Sequence, residues 1–343
     1  NIAILIFSLL FVISITFTVI TLGAYVRLSH AGLGCPDWPG CYGFLVGVPD
    51  NPAEIANAEN AYEGSIVDIA KAWKEMVHRY LAGFLGIFIF ILSFIFYKNN
   101  SSKLLGISLL VSVLVIFQAA LGMFTVTLQL QPLIVMLHLV GGLTIIALLW
   151  LIFLRYNKST YFGEITNTNF NISIKKIKRL QAFAFVTLVV LVMQIMLGGW
   201  TSTNYAALAC ADFPRCNNSW WPQMDFYNAF IVELATDLNY EFGRLDTPAR
   251  VAIHFTHRAW AIFATVMVLL LSIFSYFTIN SLYQRILSLL LVLFLGTQVL
   301  LGVLNIKLGL PILVAVAHNG NAALLLMCLL TQLFFIKGIK NNT

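Results

Sequence analysis

Glu75-Met76-Val77-His78-Arg79 stands at the head of an apolar run, Tyr80 to Tyr97, that is long enough to cross a bilayer. Ionisable residues at the mouth of a membrane helix are costly and mark functional sites. A related stretch, His254-Phe255-Thr256-His257-Arg258, opens another apolar run, with His257 placed 179 residues after His78. Each is followed by one further histidine near the head of a later run: His138 comes 60 residues after His78, and His318 61 after His257. Two pairs of intramembrane histidines in a duplicated frame therefore need explaining.

The surrounding composition fits this reading. The chain has 343 residues, 60% hydrophobic and 10% charged, with mean hydropathy +0.88. A soluble domain carries about 25% charged residues, so the chain is expected to be an all-α polytopic membrane protein. Eight apolar windows are long enough to span: 3–27, 73–97, 104–128, 133–156, 180–203, 249–278, 286–308 and 311–336. The first is too long for a signal-peptide core and lacks a small-residue cleavage site, so it is expected to be a permanent helix.

The net charge of +6 is sorted by side of the membrane, which argues against a nucleic-acid partner. Lys98, Lys103, Arg155, Lys158, Lys175, Lys176, Lys178, Arg179, Arg285, Lys337 and Lys340 fall on one side. Every acidic residue but Glu164 falls in or beside loops on the other. The positive-inside rule then makes both termini cytoplasmic and the long loops 28–72 and 204–248 external. The pairs Cys35/Cys41 and Cys210/Cys216 land in those external loops, where disulfides are expected. Their reading stays open between loop staples and redox-active pairs. Cys328, alone in an apolar run, reads as core.

Three alignments establish an internal repeat. LGAYVRLSHAGLGCPDWPGC matches LGGWTSTNYAALACADFPRC at an offset of 175, and EMVHRYLAG matches HFTHRAWAI at 179. FQAALGMFTVTLQLQPLIVMLH matches TQVLLGVLNIKLGLPILVAVAH at 180. Each half has four helices, so the halves are expected to be parallel repeats about an axis along the membrane normal: residues 1–156 and 180–343, joined by a cytoplasmic linker at 157–179. A Q-x-x-L-G element at Gln118, Gln194 and Gln298 reads as a helix-packing signature, with small residues for close approach and amides for hydrogen bonds across helices.

The four histidines should sit at one depth near the external face, and two imidazoles inside a four-helix bundle suit axial ligation of haem iron. Phe84, Phe88, Phe124, Trp260 and Phe263 could wrap a porphyrin. No carboxylate or thiolate set completes a zinc or copper site. One turn before the ligand position stands Glu75 in the first half and His254 in the second, so the halves differ. Glu75 could move protons at a reacting group, or pair with Lys71, Lys74 or Arg79. Arg27, Arg79 and Arg258 could pair with haem propionates or reach phosphate headgroups. His30 reads as a loop residue.

Arg27 to Gly43, R-L-S-H-A-G-L-G-C-P-D-W-P-G-C-Y-G, followed by Glu75-x-x-His78-Arg79 and the later histidines, resembles the haem A synthase family over essentially the whole chain. The resemblance implies oxidation of the C8 methyl of haem O to a formyl group, through successive hydroxylations and loss of water from a geminal diol. It implies that Glu75, His78 and His138 form the substrate site and that His257 and His318 ligate a haem b cofactor. It also implies a bacterial plasma membrane, haem O supplied by a haem O synthase, and an electron donor it does not specify. A homo-oligomer is compatible with it. The family's first-loop cysteine pair maps onto Cys35 and Cys41; His254 has no family role. The rival readings are a di-haem b-type electron-transfer subunit, which does not account for Glu75 in one half only, and a transporter, which would need a midplane site.

Overall fold

A computed structural model of the chain describes residues 2–99, 102–157, 172–232, 235 and 238–339. Most of the expected linker, 158–171, lies outside the described residues. The described chain is helical: α1 (Ile2–Leu28), α2 (Pro52–Ala61), α3 (Ile69–Lys98), α4 (Ser102–Thr127), α5 (Pro132–Asn157), α6 (Ile174–Thr203), α7 (Phe226–Ala229), α8 (Thr247–Thr278), α9 (Leu282–Lys307) and α10 (Ile312–Gly338). Among the described residues eight helices are long and apolar enough to span a membrane: all but α2 and α7.

The windows read from hydropathy and the helices agree closely, and the differences have local causes. α3 begins at Ile69, before its apolar run, because the Asp68 side chain accepts the Lys71 amide at 3.0 Å and starts the helix in polar sequence. Ser173 does the same for α6, accepting from Lys176 at 3.4 Å. In the first long loop, Asn51 caps α2 by accepting from Glu54 at 3.0 Å, with Pro52 at the first helical position.

α1, α3, α4 and α5 pack in a ring of neighbours, and so do α6, α8, α9 and α10. The rings meet where α1 touches α10 and where α5 touches α6 and α10. This packing is compatible with two four-helix halves. Trp150 on α5 donates to Thr331 on α10 at 2.8 Å across that contact, and Ser93 on α3 meets Ser112 on α4 at 2.9 Å. Such interhelical bonds contribute about 0.6 kcal/mol each on average in a bilayer, where close packing does most of the holding. The main core, including Leu9, Ile89, Leu149, Leu271, Leu291, Leu329 and Phe335, is built from the helix ends remote from the cysteine loops. The histidines lie towards the other end.

Candidate haem-binding sites

His78 lies nine residues after the start of α3, His138 six after that of α5, His257 ten after that of α8 and His318 six after that of α10. At about 1.5 Å per residue, the four share a layer beneath the cysteine loops. His138 is within electrostatic range of His78, and His318 of His257. The structure thus brings together the two pairs expected from the sequence.

Each imidazole rests against a glycine on the neighbouring helix. A Cβ on Gly23 of α1 would lie 2.9 Å from His78 Cε1, and one on Gly122 of α4 would lie 3.4 Å from His138 Cε1. In the second half, Gly198 of α6 and Gly302 of α9 would meet the same atom of His257 and His318 at 3.1 and 3.2 Å. The glycines occupy matching repeat positions, 175 and 180 residues apart. Without side chains, they let the ring edge lie on the helix backbone and fix how far each imidazole reaches inward. All four histidines are half-buried, yet Nδ1 of His78, His138 and His318 is shut off from solvent without a hydrogen-bond partner.

This donor set fits haem. Among the described residues no cluster of three or more His, Cys, Asp or Glu could hold a small ion. Paired imidazoles alone suit a metal whose other ligands come from a planar macrocycle. Of the expected aromatic wrap, Phe84, Phe124 and Phe263 are exposed, while Trp260 donates to the Val190 carbonyl at 3.1 Å.

Above each pair sits a disulfide-closed loop, Cys35–Cys41 in the first half and Cys210–Cys216 in the second, with Cα separations of 4.8 and 4.6 Å. The loops are built alike. Asp37 accepts the amides of Tyr42 at 2.6 Å and Gly43 at 2.8 Å, and Asp212 accepts those of Asn217 and Asn218. Burial works against ionisation of Asp212, but the Asn218 and Asn217 amides outweigh it and hold the carboxyl below its ordinary pKa.

Glu75 and His254 have the same job at this level. Glu75 Oε2 accepts the Cys35 amide at 3.1 Å, and His254 Nδ1 accepts the Cys210 amide at 3.2 Å. Glu75 also holds the arginine one turn on, its Oε1 meeting Arg79 at 2.5 Å. His254, accepting at Nδ1, instead carries its proton on Nε2 and lies beside Arg258 at 3.2 Å without accepting from it. Arg79 donates onward to the carbonyls of Asp37, Pro39 and Gly40, and Arg258 to those of Cys210, Asp212 and Arg215. The donors the structure uses on these two arginines therefore clamp the loops. Sequence alone left His254 between proton shuttling and a plain hydrogen bond, because the contact depends on an irregular loop conformation that no periodic pattern reveals.

Between the halves, Arg27 donates to the Ser202 carbonyl at 3.0 Å and lies 4.1 Å over the Tyr205 ring. His30 stacks on the same ring at 6.1 Å, and burial, then Arg27, keep its imidazole below its ordinary pKa. Cys328 is a buried free thiol in the core.

The amides of the Q-x-x-L-G elements are part of the histidine layer. Gln194 Nε2 lies 3.1 Å from His257 Nδ1, and Gln298 Nε2 lies 3.2 Å from His318 Nε2. Their spacing gave a usable signal, since the glycine ending each element is the one facing an imidazole. Read as a packing signature, the element concealed that contact.

Comparison with known proteins agrees with this architecture. The family described as cytochrome oxidase assembly protein matches residues 7–330. A haem A synthase from Shewanella oneidensis is 42% identical over 328 residues, covering 96% of this chain and 95% of that protein. Haem A synthases from Wolbachia pipientis subsp. Culex pipiens and Halalkalibacterium halodurans are each 27% identical, covering 87% and 92% of this chain and 87% and 89% of their own lengths.

Proposed function

The chain belongs to the cytochrome oxidase assembly family that includes the haem A synthases, and is a membrane oxidoreductase of haem A biosynthesis. From that premise we propose that it oxidises the C8 methyl of haem O to a formyl group, with the first half, 1–156, as substrate site and the second, 180–343, as the site of a resident haem b. The observation that carries this is the duplicated layer of histidines, each seated on a glycine, with a carboxylate in one half where the other has an imidazole.

Converting a methyl to a formyl group is a four-electron oxidation in which the carbon gains one oxygen and loses two hydrogens, so the overall reaction needs an oxidant of four-electron capacity. His78 and His138 would hold and orient the substrate haem on the side of the Cys35–Cys41 loop. Glu75, one turn before His78, takes up protons released at the reacting carbon and passes them towards the external side. Arg79, paired with Glu75, keeps that carboxylate in place. His257 and His318 hold haem b, which when bound supplies one-electron transfer. The apolar helix walls exclude water from both sites. Haem O arriving from a haem O synthase, an electron donor, and a bacterial plasma membrane with both termini cytoplasmic complete the proposal.

The test is haem extraction and chromatography of the protein produced with a haem O supply. Haem b together with haem O or haem A supports the reading. Two haem b molecules would make it a di-haem electron-transfer subunit, and no haem would contradict both. In the same assay Glu75→Ala should keep haem b and form no haem A. Haem A accumulating as in the unmodified protein would remove Glu75 from the chemistry.

A further inference from the structure

The two halves differ in what stands behind their histidines. Behind His257 is the Gln194 amide, 3.1 Å from Nδ1. Gln194 Oε1 is buried without a partner, and exchanging the two ends of the amide by rotation would let that oxygen accept Nδ1–H. With the proton held there, the lone pair of Nε2 is left for a metal. The second histidine of this half is placed differently: Gln298 Nε2 lies 3.2 Å from His318 Nε2, His318 Nδ1 has no partner, and Gln298 Oε1 is tied to Asn321 Nδ2 at 2.8 Å. Asn321 is fixed in turn to the Phe294 carbonyl at 2.8 Å.

The first half lacks this backing. The repeat offset of 175 places Val19 where the second half has Gln194, although Gly23 and Gly198 correspond four residues later. The offset of 180 places Gly141 where the second half has Asn321. Gln118, the counterpart of Gln298, packs its amide against Gly141, where a Cβ would lie 2.7 Å from its Cδ, and its Nε2 has no partner. His78 Nδ1 and His138 Nδ1 are both unpartnered, as is His318 Nδ1, so the contrast between the halves is that of His257 with His78.

Resting on the reading that both layers bind haem, we propose that Gln194 is a positioning residue that locks His257 for permanent ligation, and that Val19 at the equivalent place leaves His78 able to release. The difference separates a retained cofactor from a substrate that must enter and leave in its product form. An imidazole whose far nitrogen is hydrogen-bonded is held in one tautomer and orientation and is a more basic ligand; removing such a partner costs about 10- to 100-fold in metal affinity. Valine offers His78 neither effect.

The experiment uses the full-length protein carrying its haem, and measures transfer of haem to an excess of an apo-globin together with the midpoint potential of the retained haem. Gln194→Val should release haem b about 10-fold faster and raise its potential. Gln194→Glu keeps an oxygen acceptor for Nδ1–H and should retain the haem with a lowered potential, a signature that repacking alone does not give. Val19→Gln should slow release from the first half by a similar factor. Unchanged release and potential in Gln194→Val, or unchanged first-half release in Val19→Gln, would overturn the proposal. His257→Ala is the control on the underlying reading. If haem b survives that change, the assignment of the second half is wrong; if it is lost while Gln194→Val behaves normally, only the positioning role fails.

Discussion

At the residue scale, the glycines opposite the imidazoles carry a sharp expectation. A methyl at Gly198 would sit 3.1 Å from His257 Cε1, and one at Gly23 would sit 2.9 Å from His78 Cε1, so the ring must shift. Overpacking costs about 1–3 kcal/mol, while alanine gains up to about 1 kcal/mol over glycine within a helix. The net effect on folding is small, but the imidazole is displaced from its setting. Gly198→Ala should therefore stay folded and lose haem affinity several-fold, read as haem per chain and as loss of the low-spin spectrum. A full haem complement with an unaltered spectrum would show that the glycine contact does not set ligand geometry. The histidines themselves were legible because ionisable residues stand out against apolar sequence. Gln194 and Asn321 were not: an amide in a membrane helix has many uses, and only the neighbouring helix shows which one applies.

At the scale of elements, the two cysteine loops and the helices below them form one repeated construction. Glu75 and His254 satisfy the amide of the first cysteine, and Arg79 and Arg258 gather the loop carbonyls. Hydrogen bonds to a charged group contribute about 1.5–3 kcal/mol, where about 1.4 kcal/mol is tenfold in an equilibrium. Arg79→Ala should therefore let the first loop open at least about 10-fold more often, measured as faster reduction of Cys35–Cys41 by a mild reductant, with the second disulfide as internal reference. Equal rates before and after the change would mean that the loop is held by other contacts. The spans of the long helices were readable from hydropathy to within about six residues at each end. Their polar first turns were not, since Asp68 and Ser173 extend α3 and α6 beyond the apolar signal. α2 had a readable start, Asn51-Pro52-Ala53-Glu54, but it lies in a loop where no apolar run draws attention to it.

At the scale of the whole molecule, the repeat reduces the problem to how two similar halves come to differ. The packing of α1 and α5 against α6 and α10 lays them side by side, and Arg27, His30 and Tyr205 tie them together beneath the cysteine loops. An even number of spans in each half sends both termini to one side. Epitope tags at residues 1 and 343 should both resist protease added outside intact cells, whereas a site placed between Gly43 and Val48 should be cut. Cleavage of either tag would reverse the proposed orientation and put the disulfide loops in a reducing compartment.

The central claim is that each half grips its own haem through its own two histidines. It is tested most directly by purifying His78→Ala and His257→Ala proteins from cells supplied with haem O and analysing the bound haem by extraction. The account predicts that His257→Ala loses haem b, and that His78→Ala keeps haem b but carries neither haem O nor haem A. Both variants losing the same haem, or neither losing any, would contradict it.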